Sequence, residues 1–357
     1  MVVLGTRPEI IKLSHIIRIL GTDATLIHTG QHYDAGLSDS FFEQFDLPAP
    51  AAYLGIGGET RGRQIGATIT ALDDLLGTEE PAAVVVQGDT NTVLGAAVAA
   101  NSRQVPLVHI ESGLRSHDRR MPEEHNRVLT DHLADLLIAP TETNRANLHA
   151  EAIPDARIVV AGNTIVEAVD ELMPDADARR LLLAEHGVEP ARFVLSTLHR
   201  PENVDDRDTL RTVLTELAAL PVPVVLPLHP RTAAHIEDFE LTSLLRELVA
   251  IDPIGYREFL GLGVESAFLI SDSGGVQEEV SVYKRPVLVV RRSTERPEVI
   301  GTFAERVDPG PRIGEVAGAW LDDLAAVHER LAATPSPYGD GSASQQAVDA
   351  IGRLVDA

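Results

Sequence analysis

Short apolar runs rich in β-branched residues alternate with longer stretches of helical periodicity along the whole chain. This alternation predicts parallel sheets flanked by helices. The runs that we expect to form strands in the first half are Val2–Leu4, Ala24–Thr29, Ala82–Gln87, Leu107–Glu111, Leu136–Pro140 and Arg157–Ala161. Those in the second half are Phe193–Thr197, Pro223–Leu228, Leu248–Asp252, Ala267–Ser271 and Val287–Val290. The pattern therefore predicts the α/β fold class, with one sheet in each half.

The length of the chain, 357 residues, exceeds what one hydrophobic core usually supports and predicts two domains. The stretch Asp170–Ala191 has no strong strand pattern, so we place the hinge near Gly162–Val166. The predicted domains are residues 1–165 and 166–336, and a C-terminal helix within 337–357 is expected to pack back on the first. Two successive doubly wound domains direct the carboxyl ends of both sheets to a shared crevice, where such folds bind ligands.

The composition narrows the classes of partner. A formal net charge of −24 argues against nucleic acid or an anionic membrane and favours a small anionic ligand. The absence of cysteine excludes disulfides, thiolate nucleophiles and cysteine-bound metals. No apolar run approaches the roughly 20 residues of a membrane span, and no secretory signal opens the sequence, so we expect a cytoplasmic protein.

The first candidate motif, GTRPEIIK, spans Gly5–Lys12 directly after the first strand. A glycine turn that opens a helix offers backbone N–H groups to an anion, and Arg7 and Lys12 add charge. Lys12 is conspicuous because only it and Lys284 are lysines among thirty cationic residues. The motif matches neither the GxGxxG fingerprint nor a Walker lysine, which leaves an anion site or a plain strand-to-helix turn.

Two further motifs follow strands in the first half. Asp89, in QGDT, is either a general base or the cap of the next helix. Glu111 closes a strand with core neighbours, which predicts a carboxylate at the crevice. The charged residues that follow it, including Glu123 and Glu124, are either part of the same site or a solvated cluster.

Polar residues also follow strands in the second half. His199 and His229 each leave a strand end, where a histidine is either structural or faces the crevice. Ser273-Gly274-Gly275 opens a helix and offers backbone N–H groups to a diphosphate, while Glu278 or Glu279 suits ribose hydroxyls. Arg296, after the next strand, supplies a guanidinium fork for phosphate.

As an ordered set, these segments closely resemble the non-hydrolysing UDP-N-acetylglucosamine 2-epimerases over nearly the whole chain. The shared motifs are GTRPE-x-IK, TGQH, GDTxT, HIESGLR, PEExNR, HR-x-EN, DSGGxQEE and TERPE. The resemblance implies two Rossmann-like domains with a central cleft, the glycosyltransferase-B arrangement, and a homodimer. It also implies a UDP-sugar substrate and a reaction that requires no metal or nicotinamide cofactor.

The resemblance assigns individual residues. The positions implied in catalysis are Asp89, Glu111, Glu123 and His199. The positions implied in binding the UDP-sugar are Arg7, Lys12, Phe259 beside the uracil, Ser273, Gly274, Gly275, Glu279 and Arg296. A possible effector or secondary set is Gln31, His32, Arg63 and His229. The loop from Arg115 to Pro122 is shorter than in many bacterial members, so either Glu123 or Glu124 is the acid.

Four alternatives to this activity stay open. One is the hydrolysing branch of the family, which releases free N-acetylmannosamine, and another is a 2-epimerase of a more elaborate substrate such as UDP-diacetamido-glucuronate. A glycosyltransferase of the same architecture would need an acceptor groove rather than several proton-handling groups. A non-catalytic nucleotide-sugar binding protein would keep Ser273 and Arg296 without needing Asp89 or His199.

Overall fold

The computed structural model describes residues 1–31 and 41–356, and all the strands predicted from the sequence are present among them. The chain divides into two compact units. Unit 1 comprises Met1–Ala168 with Tyr338–Ala357, and unit 2 comprises Val169–Pro337. The hinge predicted near Gly162–Val166 lies just before the boundary between them.

The sheet of unit 1 is parallel, and within the described residues its strand order is β3-β2-β1-β4-β5-β6-β7. This is the Rossmann order with one further strand at the edge. The strands are β1 (Val2–Leu4), β2 (Leu26–His28), β3 (Ala52–Tyr53), β4 (Val84–Gln87), β5 (Leu107–Ile110), β6 (Leu136–Ala139) and β7 (Ile158–Val160). The central strands β1, β4 and β5 are buried along their whole length because helices cover both faces of the sheet.

The sheet of unit 2 repeats this topology, with the parallel order β10-β9-β8-β11-β12-β13. Its strands are β8 (Val194–Thr197), β9 (Val224–Pro227), β10 (Val249–Ile251), β11 (Phe268–Ser271), β12 (Val287–Val290) and β13 (Ala304–Val307). Its core packs Phe268 and Leu288 of the central strands against Leu214 and Ile313 of the flanking helices. The predicted α/β class with two Rossmann-like domains is therefore confirmed.

Helices connect the strands in both units. Those of unit 1 are α1 (Arg7–Leu20), α2 (Arg61–Glu79), α3 (Asn91–Ser102), α4 (Pro122–Leu133), α5 (Glu142–Ala150) and α6 (Ile165–Leu172), the last of which crosses into unit 2. Those of unit 2 are α7 (Ala176–His186), α8 (Pro201–Val204), α9 (Arg207–Ala218), α10 (Pro230–Asp238), α11 (Tyr256–Glu265), α12 (Gly274–Tyr283), α13 (Arg312–Asp322) and α14 (Leu324–Ala333). The C-terminal helix α15 (Ala343–Val355) returns to unit 1 and packs against α1.

Two strands were missed from the sequence, and both lie at the edge of a sheet. Strand β3 has only two residues, Ala52 and Tyr53, too few to show alternation. Strand β13 reads AERV, and its central charged residues Glu305 and Arg306 conceal the pattern. An edge strand tolerates charged side chains because one of its sides is open to solvent.

Candidate active site

The candidate residues of unit 1 follow three neighbouring strands. Strands β1, β4 and β5 are parallel and adjacent, so their carboxyl ends meet at one edge of the sheet. The turn Gly5–Thr6 follows β1, Asp89 follows β4 within two residues, and Glu111 follows β5 directly. The topology thus brings the first three motifs together, as the sequence predicted.

Glu111 is a buried carboxylate with two donors on one oxygen. The Lys12 ammonium forms an ion pair with its Oε2, and Gln87 Nε2 donates to the same atom at 2.7 Å. Both partners of the ion pair have side chains only 6% exposed. Lys12 is therefore a buried, paired cation and not a solvated lysine.

The backbone at Glu111 is strained. The predicted strand ends one residue early, at Ile110, and Glu111 adopts a left-handed conformation with φ of 67°. Such a conformation is unfavourable for a residue with a side chain and is common at functional sites. Gly113 also has positive φ, 81°, and a Cβ there would lie 2.4 Å from the carbonyl oxygen of Asn144. The turn therefore aims Glu111 at a fixed position.

Asp131, on α4, fixes the turn that contains Glu111 and Gly113. Its carboxylate accepts from the backbone N–H of Gly113 at 3.1 Å, and it pairs with Arg115 at 2.7 Å and with Nδ1 of His109 at 2.6 Å. Burial alone would raise the pKa of Asp131, but His109 and Arg115 outweigh burial and hold that pKa below its ordinary value. His109 Nε2 in turn lies 2.8 Å from the carbonyl oxygen of Gly88, which ties the turn to the loop that carries Asp89.

Asp89 is held by Arg127 of α4. The guanidinium donates through Nε, at 3.2 Å, and through Nη2 to the same oxygen, Oδ2. Asp89 does not cap the following helix, because Thr90 is the N-cap of α3 and accepts from the N–H of Val93. The capping alternative for Asp89 is therefore wrong. Its side chain is 28% exposed, so one face stays accessible.

The neighbours Glu123 and Glu124 have different surroundings. Glu124 is buried, pairs with Arg127, and accepts from the N–H groups of Ser116 at 2.9 Å and His117 at 2.8 Å. Burial would raise the pKa of Glu124, but these donors outweigh it and lower that pKa. Glu123, in the first turn of the same helix, is exposed. Glu124 is thus a fixed carboxylate that holds the 116–117 turn.

Arg7 and Glu9 lie at the start of α1. Arg7 is partly exposed and forms no hydrogen bond or ion pair with any residue in 1–31 or 41–356. Glu9 is buried and accepts from the N–H of Gly5 at 2.8 Å and the hydroxyls of Thr6 at 2.9 Å and Thr90 at 2.7 Å. Burial raises the pKa of Glu9 to about 7. Glu9 therefore shapes the glycine turn and leaves Arg7 available for an anion.

The possible effector residues are separate features. Gln31 Oε1 accepts from the N–H of Thr92 at 2.8 Å and from its hydroxyl at 3.0 Å, so Gln31 helps to cap α3. Arg63 is exposed on α2, pairs with Glu59 at 3.2 Å and lines a surface depression with Ile56. His32 lies outside the described residues.

The first strand end of unit 2 carries His199, and its partner is Asp272. Nδ1 of His199 lies 3.0 Å from Oδ1 of Asp272, which follows β11 and is fully buried. The same carboxylate accepts from the backbone N–H groups of His199 and Arg200 and from Nδ2 of Asn203. The ring of His229 lies beside that of His199, with centroids 5.5 Å apart, and His229 Nδ1 accepts from the N–H of Arg231.

The helix α12 begins at the glycine pair predicted to bind diphosphate. Ser273 is its N-cap, and Ser273, Gly274 and Gly275 are all partly exposed. A Cβ at Gly274 would lie 3.0 Å from both Nη1 of Arg296 and Oε1 of Glu295. Glycine at this position lets the guanidinium approach the start of the helix. The charge of Arg296 there adds to the positive end of the helix dipole.

Arg296 belongs to a buried cluster of charges. Its Nε donates to Glu278 at 2.7 Å, and its Nη1 pairs with Glu295. Glu295 also accepts from the fully buried Arg291 at 2.8 Å and lies 3.7 Å from Arg200. One carboxylate thus faces three guanidinium groups. Glu278 is fully buried and pairs with Arg296, which favours Glu279 as the candidate for a ribose.

Glu279 and Phe259 are placed by α11 and α12. The hydroxyl of Tyr256 donates to Oε1 of Glu279 at 3.1 Å, and burial raises the pKa of Tyr256. Phe259 lies one turn after Tyr256 on the same helix and is partly exposed. Tyr256 therefore orients the carboxylate predicted to bind ribose.

Several supporting residues were not predicted as part of the site, among them Arg127, Asp272 and Glu295. Each stands next to a predicted residue or within one of its motifs, yet no sequence signal separates a supporting charge from a solvated one. Their roles follow only from burial and contacts. Among the described residues no cluster of three or more histidine, aspartate or glutamate side chains suits a metal ion, and no described helix is long and apolar enough to span a bilayer.

Two parallel sheets of Rossmann order, with polar groups following the strands, define a two-domain α/β protein of the nucleotide-binding class. The model of the UDP-N-acetylglucosamine 2-epimerase family matches residues 18–352, and the chain belongs to this family.

Individual relatives agree. A UDP-N-acetylglucosamine 2-epimerase of Methanocaldococcus jannaschii is 38% identical, with 97% of each chain covered. A UDP-2,3-diacetamido-2,3-dideoxy-D-glucuronate 2-epimerase of Pseudomonas aeruginosa is 36% identical, with 99% of each chain covered. The solved structure of the M. jannaschii UDP-GlcNAc 2-epimerase, in complex with UDP-GlcNAc and UDP, matches with a TM-score of 0.86 at 37% identity and covers 99% of both chains.

Proposed function

We propose that this chain is a non-hydrolysing epimerase that interconverts UDP-N-acetylglucosamine and UDP-N-acetylmannosamine. Membership of the family supports epimerisation at carbon 2. The observation that carries the proposal is the pair of carboxylates Glu111 and Asp89, which follow adjacent strands and are each held by a cation, Lys12 and Arg127. We expect a homodimer that acts in the cytoplasm without a nucleic-acid or membrane partner.

The chemistry explains the need for several carboxylates. The proton on carbon 2 is not α to a carbonyl group, so simple deprotonation is too costly. Elimination avoids this cost: a base removes that proton as the C1–O bond breaks, which gives 2-acetamidoglucal and UDP. A proton then returns to carbon 2 on the opposite face, and the diphosphate oxygen re-forms its bond to carbon 1. This sequence needs proton-handling groups on two faces and positive charge on the departing diphosphate.

We assign proton handling to Asp89, Glu111 and Glu123 as a group. Between Glu123 and Glu124 we choose Glu123, because an acid must exchange its proton during turnover and its exposed carboxyl is free to do so. Glu124 is held as a carboxylate by Arg127 and by two backbone N–H groups, and its lowered pKa makes it a poor acid.

The groups of unit 2 suit the nucleotide. The start of α12, from Ser273 to Gly275, and the adjacent Arg296 bind the diphosphate through N–H groups and a guanidinium. Glu279 binds the ribose, and Phe259 packs against the uracil. His199 assists the diphosphate as it leaves, while Arg7 and Lys12 of unit 1 bind the sugar diphosphate.

A second candidate substrate is a UDP-diacetamido-glucuronate, because the P. aeruginosa relative of that name is nearly as similar as the M. jannaschii one. Both candidates share the elimination at carbon 2. They differ in the substituents on carbons 3 and 5 of the sugar, which the contacts above do not involve.

The test is incubation with UDP-GlcNAc in D₂O, followed by NMR of the sugar. We expect deuterium at carbon 2 and a mixture of UDP-GlcNAc and UDP-ManNAc that is the same from either starting compound. Free N-acetylmannosamine would instead identify a hydrolysing enzyme. Unlabelled UDP-GlcNAc, together with deuterium uptake into UDP-2,3-diacetamido-glucuronate, would show that the proposed substrate is wrong and that the proposed reaction at carbon 2 is right.

A further inference from the structure

We propose that Asp272 is a positioning residue that holds the imidazole of His199 with its Nδ1 proton toward the carboxylate and its Nε2 toward the substrate. The inference rests on the proposed function, because His199 is there assigned to the departing diphosphate. Asp272 itself touches no substrate in this proposal and acts through the ring.

The contacts of Asp272 fix which ring atom carries the proton. Its side chain is fully buried, and each neighbour within hydrogen-bond distance is a donor: the N–H groups of His199 and Arg200, and Nδ2 of Asn203. Burial would raise the pKa of Asp272, but the bonds from His199 and these other donors outweigh it and lower that pKa. A group that stays a carboxylate only accepts, so Nδ1 of His199, at 3.0 Å, must be the protonated nitrogen.

The other nitrogen of the ring is available. The side chain of His199 is 39% exposed, and no residue among 1–31 and 41–356 forms a hydrogen bond with its Nε2. Neutral His199 therefore presents Nε2 as an acceptor, and protonated His199 presents it as a charged donor. When the C1–O bond breaks, negative charge grows on the diphosphate. A protonated His199 ring, held by the buried carboxylate of Asp272, stabilises that negative charge.

Asp272→Asn is the informative variant, because the surroundings decide how the amide orients. Oδ2 of Asp272 faces two donors from other residues, the N–H of Arg200 at 3.0 Å and Nδ2 of Asn203 at 3.0 Å. The amide oxygen of the variant should take that place, which puts its NH₂ group opposite Nδ1 of His199. Nδ1 must then accept, and the proton moves to Nε2.

The experiment combines ¹⁵N NMR of the histidine rings with kinetics, and His199→Gln identifies the His199 signals. In a pH series without substrate, the neutral ring of the natural enzyme should carry its proton on Nδ1, and that of Asp272→Asn on Nε2. The kcat for deuterium exchange at carbon 2 should fall about 10²- to 10⁴-fold in Asp272→Asn, as when another buried carboxylate–imidazole pair loses its tautomer. Adding Asp272→Asn to His199→Gln should cost little further, since both changes remove one function.

Asn203→Ala is the matched control, because it removes a donor to Asp272 without touching the ring. It should lower the unfolding midpoint and leave the Nδ1 proton in place. An Nε2 proton in the natural enzyme, or additive losses in the double variant, would overturn the positioning role. Since the tautomer is measured without substrate, a natural enzyme that fails to exchange deuterium would sink the proposed function and leave the ring assignment standing.

Discussion

The two units use charge in opposite ways. In unit 1 cations support carboxylates: Lys12 holds Glu111, and Arg127 holds Asp89 and Glu124. In unit 2 carboxylates support cations. Asp272 holds His199, while Glu278 and Glu295 hold Arg296.

The proposed function gives a reason for this difference. The cations beside Glu111 and Asp89 fix the direction of each carboxylate and offset its charge. A guanidinium or imidazole that binds a diphosphate needs the reverse, a buried carboxylate behind it. Under the proposed function, two sheets of the same topology serve different tasks: the carboxylates of unit 1 handle protons, and the cations of unit 2 bind the nucleotide.

The largest effect should come from a pair of neighbours in unit 1, only one of which is free to exchange its proton. Glu123→Gln should lower the rate of deuterium exchange at carbon 2 by about 10²- to 10⁴-fold, the usual contribution of an acid or base. Its unfolding midpoint should not change, because Glu123 is exposed. Glu124→Gln should lower the free energy of unfolding by about 1–3 kcal/mol, since a buried pair with Arg127 is broken.

The two variants are each other's control, with exchange measured by NMR and stability by denaturant unfolding. Glu124→Gln should retain more exchange than Glu123→Gln. The reverse result is a stable Glu124→Gln without deuterium exchange and an active Glu123→Gln. It would mean that Glu124 is the acid and Glu123 is not.

The sequence predicted the fold more completely than the site. Central strands such as Val84–Gln87 and Val287–Val290 are buried on both faces, so their apolar runs are unmistakable. The edge strand Ala304–Val307 shows no such run, because one side is open to solvent. Periodicity needs several successive apolar residues, and the two missed strands lack them: one has only two residues and the other is interrupted by two charges.

For the site, the sequence predicted which strand ends carry polar groups, but not which charges support which. Glu123 and Glu124 are adjacent and identical, and only the hydrogen bonds to Glu124 separate them. The left-handed backbone of Glu111 likewise has no sequence signal, since left-handed residues other than glycine are rare.

An intermediate effect should come from Arg296 of unit 2, where a substitution can keep the positive charge beside the supporting carboxylates and change only the shape of the cationic group. Arg296→Lys keeps a positive charge beside Glu278 and Glu295 but loses the planar fork that suits a phosphate. The dissociation constant for UDP should rise about 10- to 100-fold, which corresponds to one or two charge-assisted hydrogen bonds. Isothermal titration calorimetry with UDP measures it.

Arg292→Lys is the matched control, because Arg292 is the exposed neighbour of the buried Arg291 in the same segment. It should bind UDP as the natural protein does. Equal affinities for UDP in Arg296→Lys and Arg292→Lys would show that Arg296 does not bind the diphosphate. The proposed difference between the two units would then be wrong.

The smallest effect should come from Glu9, a buried carboxyl of unit 1. Glu9 accepts only from neutral donors on Gly5, Thr6 and Thr90, and burial raises its pKa to about 7 from an ordinary value of 4.5. Between these two values the folded protein binds more protons than the unfolded chain, so rising pH must lower the stability. In Glu9→Gln the amide oxygen can accept from Gly5 and Thr6 while its NH₂ donates to the Thr90 hydroxyl, so the contacts are kept and the titration is removed. From pH 5 to pH 7, the natural protein should lose about 1–2 kcal/mol more free energy of unfolding than Glu9→Gln. Denaturant unfolding of both proteins at each pH measures this difference, and parallel curves would show that Glu9 is ionised throughout, as expected for a carboxylate supported by charge, such as Glu111.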